Sequence, residues 1–177
     1  MAQISEDALI EAYGQGQRDF YDRDLQQIRL FEANLVQIDL HGSNLTQAHL
    51  PYANLSQANL EQALVKNAEL SDIKLCQANL NRANLQNARL IRADLRDARL
   101  QGADLQGVQL QGADLRDADL SHAHLEGADL SRANLEFANL RGADLSNCNL
   151  FRAKKVDLSE AKVDHRTIYP DGHRQSF

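Results

Sequence analysis

Ala103-Asp104-Leu105-Gln106-Gly107-Val108-Gln109-Leu110-Gln111-Gly112-Ala113-Asp114-Leu115-Arg116-Asp117 decides how this chain folds. Leucine returns at every fifth place, with a small residue two before it and a short polar residue between. Outward from this stretch the phase holds. From Leu25 to Leu150 each fifth residue is leucine, with Val65 as the exception. A period of five fits neither a helix face nor a flat strand, so the chain is a repeat protein. On a helix, five residues advance about 500°, which would scatter the leucines around the axis. If each unit is instead a short extended stretch and a corner, Leu and the residue two before it share a side. Those two face inward. The polar residue between them and the two after the leucine face out or form the corner.

The corner positions agree. Gly102, Gly107, Gly112, Gly127 and Gly142 lie two residues after a leucine, as do Asn87 and Asn147, and Asn67 holds the same place after Val65. Gly and Asn tolerate the positive φ that a type II turn needs at its third residue. Arg82, Arg92, Arg132 and Phe137 hold the same place in other units, which predicts a second, less demanding corner there. Pro51, just after Leu50, suits a corner with φ near −65°.

Tandem Ala-(Asp/Asn)-Leu-x-x, as in Ala103–Gly107 and Ala113–Asp117, resembles the pentapeptide repeat family across residues 20–155. The resemblance implies an all-β fold, a right-handed quadrilateral β-helix with four units per coil. About 27 units then give about seven coils, a rod roughly 30 Å tall at about 4.8 Å between stacked strands. Residues n and n+20 become neighbours. Glu69 with Arg89, Asp72 with Arg92, Arg99 with Asp119 and Arg116 with Glu136 are then complementary. Asp94 under Asp114, Asp97 under Asp117 and Arg96 under Arg116 repel.

Both ends leave the pattern, which divides the chain into residues 1–19, 20–155 and 156–177. Residues 5–13 predict a short capping α-helix over the first coil. Ser5 is its N-cap, Glu6 and Asp7 fill its first turn, Ile4 staples onto Leu9, and Ala8, Leu9, Ala12 and Tyr13 form its apolar stripe. Gly14 is expected to end it. The lead-in from Tyr13 to Phe20, with Phe20 already in the leucine place, resembles that of cyanobacterial members. After Leu150 the phase breaks. Lys155 falls where leucine belongs, and Val156, Leu158, Ala161 and Val163 resume the pattern shifted by three. Thr167-Ile168-Tyr169-Pro170-Asp171-Gly172 is similar to family endings, with Ile168 and Tyr169 expected over the last coil and a loose tail after Gly172.

Charge is uneven. The 177 residues carry a net charge of −6. Residues 1–19 hold four acids and one base, residues 20–155 hold 17 acids and 15 bases, and residues 156–177 hold four acids and three bases. The repeat body is near neutral with interspersed signs, a solubility pattern rather than a steering field. The start shows no basic, apolar leader, and no run reaches the roughly 18 apolar residues of a membrane span, so a cytoplasmic location is expected. Cys148 sits in an inward place and Cys76 in an outward one, which argues against a bridge between them.

Little in the sequence points to chemistry. Asp104 and Asp114 belong to stretches facing different ways. His122 and His124 straddle a corner without a convergent third ligand, so no metal site is assigned. There is no phosphate-cradling loop or nucleophile elbow, and the arginines from Arg82 to Arg99 are spread over several faces. Tyr52, Phe31, Phe137 and Phe151 are bulky outward groups that could anchor a partner. The expectation is a non-catalytic scaffold or protein-interaction module, monomeric or dimerised through its C-terminal end. It would have no catalytic residues, no cofactor or metal, and no nucleic-acid or membrane binding. The alternative is a DNA mimic, like the family members that bind DNA gyrase.

Overall fold

In the computed structural model, which describes residues 2–174, one coil takes twenty residues. Parallel bridges join Asp24 to Asn44, Asn44 to Leu64, Leu64 to Asn84 and Asn84 to Asp104, and the same offset runs unbroken from Asp19–Asp39 to Asn134–Lys154. The chain is a right-handed quadrilateral β-helix. Its inside is the leucine place and the place two before it: Leu85, Leu95, Leu105, Ala83, Ala93 and Ala103 are all at most 2% exposed. Phe20 starts the column and is fully buried. Each such leucine contributes roughly 1.5–3 kcal/mol by leaving water. Because it touches mainly the coils above and below, stability is close to a sum over neighbours.

The unit around Leu85 shows how five residues satisfy this fold, because all five of its amides find acceptors. Around Leu85, the Leu85 amide donates to the Asp104 carbonyl (2.7 Å) and the Asn87 amide to Gln106 (3.0 Å), both in the next coil. The Asn84 amide donates to Ala63 in the previous coil (2.9 Å), and Ala88 closes the corner onto Leu85 (3.0 Å). The fifth amide, on Gln86, donates to the Asn84 side chain at 3.2 Å. That last bond explains the short polar residue before most of the leucines. Asn or Asp there reaches the amide two residues on, an Asx turn that starts the corner.

All corners are of one kind. From Asp22 to Arg152 every second corner residue has positive φ, glycine or not, including Arg82 (56°), Arg92 (56°), Arg132 (61°) and Phe137 (59°). The second corner type expected for those residues does not occur. Closure of the corner hydrogen bond and the stacked amide outweigh a left-handed penalty of about 1–2 kcal/mol per residue. At some glycine corners the end of the side chain in the coil below takes up the space of a Cβ. A Cβ on Gly42 would stand 2.2 Å from Asp22 Oδ1, and one on Gly107 2.5 Å from Asn87 Oδ1.

Small polar side chains enter the alanine place at three points, each bonded. Ser43 Oγ donates to Phe20 O (2.9 Å) and accepts from the Arg23 amide (3.0 Å). Cys148 Sγ donates to Leu125 O at 2.8 Å. Thr167 Oγ1 donates to Leu145 O at 3.0 Å.

At the N-terminal end, β1 (Ala2–Gln3) pairs in parallel with β2 (Arg23–Asp24) and extends one face of the stack by a short strand. Helix α1 (Glu6–Gly14) then crosses the open coil. Ser5 is the N-cap, its side chain accepting from the Ala8 amide (3.3 Å), and Leu9 is fully buried. The helix ends two residues later than Gly14 alone implies. Gly16, at φ 97°, is the left-handed residue, with its amide on Tyr13 O and the Gln17 amide on Ala12 O, each 3.0 Å. This is a Schellman ending.

At the C-terminal end the offset falls from twenty to eighteen at Asp144–Lys162 and to nineteen at Asn149–Ile168. Ala161 and Val163 take the alanine and leucine places, as the shifted pattern requires. Val156–Glu160 does not complete its unit. Its corner forms: Ser159 donates to Asp157 Oδ1 (3.0 Å) and Ala161 to Leu158 O (3.2 Å). Among the described residues its strand pairs with none, and Asn139 has no bridge on its upper side. Two residues are missing between Lys155 and Val156, where the units from Leu25 to Leu150 each have a two-residue corner; one is regained at the three-residue corner Asp164–Arg166, which raises the offset to nineteen. Lys155 bends alone at φ 56°, and the strand lifts off. Among the described residues the amides of Phe137 and Leu140 are left without a protein acceptor.

Ile168 and Tyr169 do not fold over the last coil. Thr167 is buried, Ile168 pairs with Asn149 in a place that faces outward elsewhere, and Tyr169 stands in the leucine place with the His173 ring stacked on it at 4.6 Å. Nor is the chain loose directly after Gly172, because Arg174 pairs antiparallel with Ile168. Residues 175–177 of the expected loose tail lie outside the described residues.

Candidate functional site

The outward surface consists of four faces, each a column of side chains one coil apart. Most of the carboxylates on them are already committed. Asp104, Asp119, Asp129 and Asp144 each accept the amide two residues on, at 3.2, 2.9, 2.9 and 3.0 Å. Amide side chains continue along the rod as ladders. Gln37 donates to Gln57 (2.9 Å) and Gln57 to Gln77 (3.0 Å), and Asn79 donates to Asn59 (3.1 Å) and Asn59 to Asp39 (3.1 Å).

Two of the four complementary pairs form as ion pairs. Arg89 reaches Glu69 at 3.0 Å, and Arg92 grips Asp72 through two bonds of 2.8 and 2.5 Å. Arg99–Asp119 and Arg116–Glu136 form no ion pair. Arg116 turns instead to Asp114 in its own coil, as Arg96 does to Asp94, with closest contacts of 2.6 and 2.7 Å. Arg96 also lies 3.9 Å from Asp114. The stacked Asp94 and Asp114 therefore share two guanidinium groups, which relieves the repulsion read from their stacking. The bonds from Arg96 and Arg116 hold these carboxyls below the usual range despite partial burial. Asp-Leu-Arg at 94–96 and again at 114–116 was the sequence signal for this arrangement.

Neither cysteine is activated. Burial pushes the Cys148 thiol up to about 12. Desolvation and nearby Asp94 raise Cys76 as well. His122 and His124 do not converge. His122 is a corner residue whose ring lies over Gly142, and His124 occupies the strand between Asp104 and Asp144. Among the described residues no three His, Cys, Asp or Glu side chains are placed to hold a metal ion. No helix among them is long and apolar enough to cross a membrane.

The remaining distinctive groups are apolar and exposed. Phe31 (57%) and Tyr52 (53%) meet edge to face, with ring centroids 5.8 Å apart. Phe137 is 80% exposed, and Phe151 lies against Gly172. Ile10, off the apolar stripe of α1, is also exposed and shares a groove with Phe31. Its position about 100° round the helix from Leu9 was a signal that the stripe alone passes over.

Twenty-residue coils, uniform corners and an alanine–leucine interior place the sequence beside one family. The family model for pentapeptide repeats matches in eight copies, over residues 24–62, 68–107, 78–117, 113–150 and 128–164. The chain belongs to the pentapeptide repeat family. Among solved pentapeptide repeat structures it is similar to HetL of the cyanobacterium Nostoc sp. strain PCC 7120, a protein involved in heterocyst differentiation regulation. The identity is 29%, covering 97% of this chain and all of HetL, with a TM-score of 0.52. Alr5209 of the same organism shares 28% identity over 92% of this chain and 98% of its own, at a TM-score of 0.42. QnrB1, a plasmid-mediated fluoroquinolone resistance protein, shares 20% over 82% of this chain and 80% of the trypsin-treated form, at 0.41. No protein of curated function matches the sequence.

Proposed function

We propose that this protein is a non-catalytic interaction scaffold of the cytoplasm, a rigid rod that a partner protein engages at a face or an end. The observation that carries this reading is the commitment of its outward polar groups. Among the described residues, most carboxylates on the faces cap their own corners or pair with a basic side chain, and Asp22, Glu32, Asp97, Asp117 and Glu136, which do neither, are all corner residues; thiols are held protonated, and His122 and His124 do not converge. An active site needs groups left free to take or give a proton toward a common point. HetL, similar over its whole length, is involved in regulation, which supports a role exercised through contacts rather than turnover.

Mimicry of DNA toward gyrase is the weaker reading. A phosphate-like column needs uncompensated charge, and Asp72, Asp94 and Asp114 each carry an arginine. The test uses the full chain. A partner captured from the native extract should be lost on Arg96→Glu/Arg116→Glu or on a variant of one end, and supercoiling by gyrase should be unchanged at high protein concentration. Turnover of a small substrate would overturn the scaffold, and inhibition of supercoiling would install the mimic.

A further inference from the structure

The N-terminal end carries a groove that the fold does not need. It runs between α1 and the first coil and encloses about 560 Å³. Ile10 on one wall and Phe31 on the other are 43% and 57% exposed, and Tyr52 extends the apolar strip through its edge contact with Phe31. Single exposed apolar residues are ordinary, but a run of three large ones is a marker of contact. The rim is acidic. Glu6, Asp7 and Glu11 line the groove from the helix, and Glu32 follows Phe31 on its corner. Arg29 is the one basic residue among those lining it. This matches the uneven charge of the chain, since residues 1–19 hold four acids and one base while the body is nearly balanced. Arg18 does not offset the rim, because it stacks on Tyr13 and donates to the Tyr13 and Gln17 carbonyls. By contrast, the groove beside Phe137 mixes Glu136 and Asp157 with Lys155 and offers no single sign.

We propose that the groove between α1 and the first coil docks a short basic segment of a partner protein, with an apolar side chain set against Ile10, Phe31 and Tyr52 and flanking Lys or Arg side chains facing Glu11, Asp7 and Glu32. The apolar strip supplies the desolvated centre, and the carboxylates supply orientation and encounter rate. The same sign repels an anionic membrane surface. This deepens the scaffold reading by assigning it a surface and a partner chemistry.

A fluorescent peptide of leucine and lysine at helical spacing serves as probe, with leucine–glutamate and serine–lysine peptides of equal length as controls. The expected result is saturable binding of the leucine–lysine peptide alone, with amide shifts confined to residues 6–11, 31–33 and 52. Glu11→Lys/Glu32→Lys and Phe31→Ser/Tyr52→Ser should each weaken it at least tenfold, and Phe137→Ser should leave it unchanged. Circular dichroism and Tm keep folding separate from binding. Equal binding of the serine–lysine peptide, shifts outside the groove, or affinity untouched by the charge reversal would each overturn the proposal. So would sedimentation showing that a second copy of the chain already fills the groove. A partner captured through another face would leave the scaffold standing while this site fell.

Discussion

The two ends of the rod meet the same problem, an open coil edge, and solve it differently. At the N-terminal end the cover is made to fit. Leu9 plugs the interior, and side chains stand in for a missing strand. The Arg29 amide donates to Glu6 Oε1 at 2.8 Å, and the Tyr13 hydroxyl donates to Val36 O at 2.9 Å. At the C-terminal end the repeat continues with two residues left out, so one strand lifts and the Phe137 and Leu140 amides face no protein acceptor. In Leu140, a buried residue, such an amide costs about 1–3 kcal/mol unless water reaches it, whereas Phe137 is exposed to water. A foreign element that caps an edge can thus be tighter than the repeat itself, because it is not bound to the repeat's register.

The largest effect should come from separating the ends. Leu95, 2% exposed, lies midway along the rod. Leu95→Lys adds an unpaired charge to the loss of a buried side chain and should destabilise by more than about 4 kcal/mol. Thermal unfolding checks it, and a parent-like Tm would refute the inward assignment. The ends themselves are compared by Leu9→Ala and Leu158→Ala. Leu9 is fully buried, so its truncation should cost about 2–5 kcal/mol, whereas half-buried Leu158 on a strand without hydrogen bonds to the coil below should cost under about 1.5 kcal/mol. Equal losses would mean that the lifted strand is as firmly held as the helix.

The body was legible because one rule covers it. Leucine every five residues fixes inside and outside, and the coil length follows once the corners are counted. The corners were read less well. Arg82 and Phe137 look unfit for positive φ residue by residue, yet stacking imposes one geometry on every unit. The ends were partly legible. Ser5 and Leu9 announce the helix through local rules of capping and amphipathicity. The hairpin at Ile168–Arg174 and the lifted strand at Val156 depend on register between coils, which no local pattern carries. The groove was harder still. Phe31 and Tyr52 could be named as outward groups, but Ile10 joins them through the way α1 lies across the coil.

Restoring the missing corner tests the C-terminal half of the comparison directly. Inserting Gln-Gly between Lys155 and Val156 gives Lys155 the two corner residues that other units have. The strand should then drop onto Asn139, with the Leu140 and Phe137 amides gaining acceptors worth about 0.5–1.5 kcal/mol each. Amide exchange is the readout. In the parent chain Leu140 and Phe137 should exchange faster than Leu120 and Asp117, which occupy the same places one coil earlier and donate at 2.9 and 3.0 Å. The insertion should remove that contrast. If Leu140 is already as protected as Leu120, the edge is not open.

Acid should loosen the C-terminal end in a defined window, and this effect is the smallest of the set. Desolvation pulls the Asp144 carboxyl upward, but Lys162 at 2.6 Å and the hydroxyl and amide of Ser146 outweigh it and hold it at about 2. A carboxyl lowered from an ordinary 3.8 stabilises the fold fully above about pH 4 and loses that contribution as pH falls toward 2. The bridge it supports, Asp144 to Lys162, is the first with the shortened offset. Lys162 is largely exposed, so salt screens the pair and keeps its share small. Between pH 5 and 2.5, then, exchange at Leu145, whose amide donates to Lys162 O, should rise more than exchange at Leu105 in the middle of the same face. Asp144→Asn should flatten the difference, since the amide cannot titrate but can still accept from Ser146. Parallel acid profiles at Leu145 and Leu105 in the parent chain would show that the shortened coil is held by its interior alone.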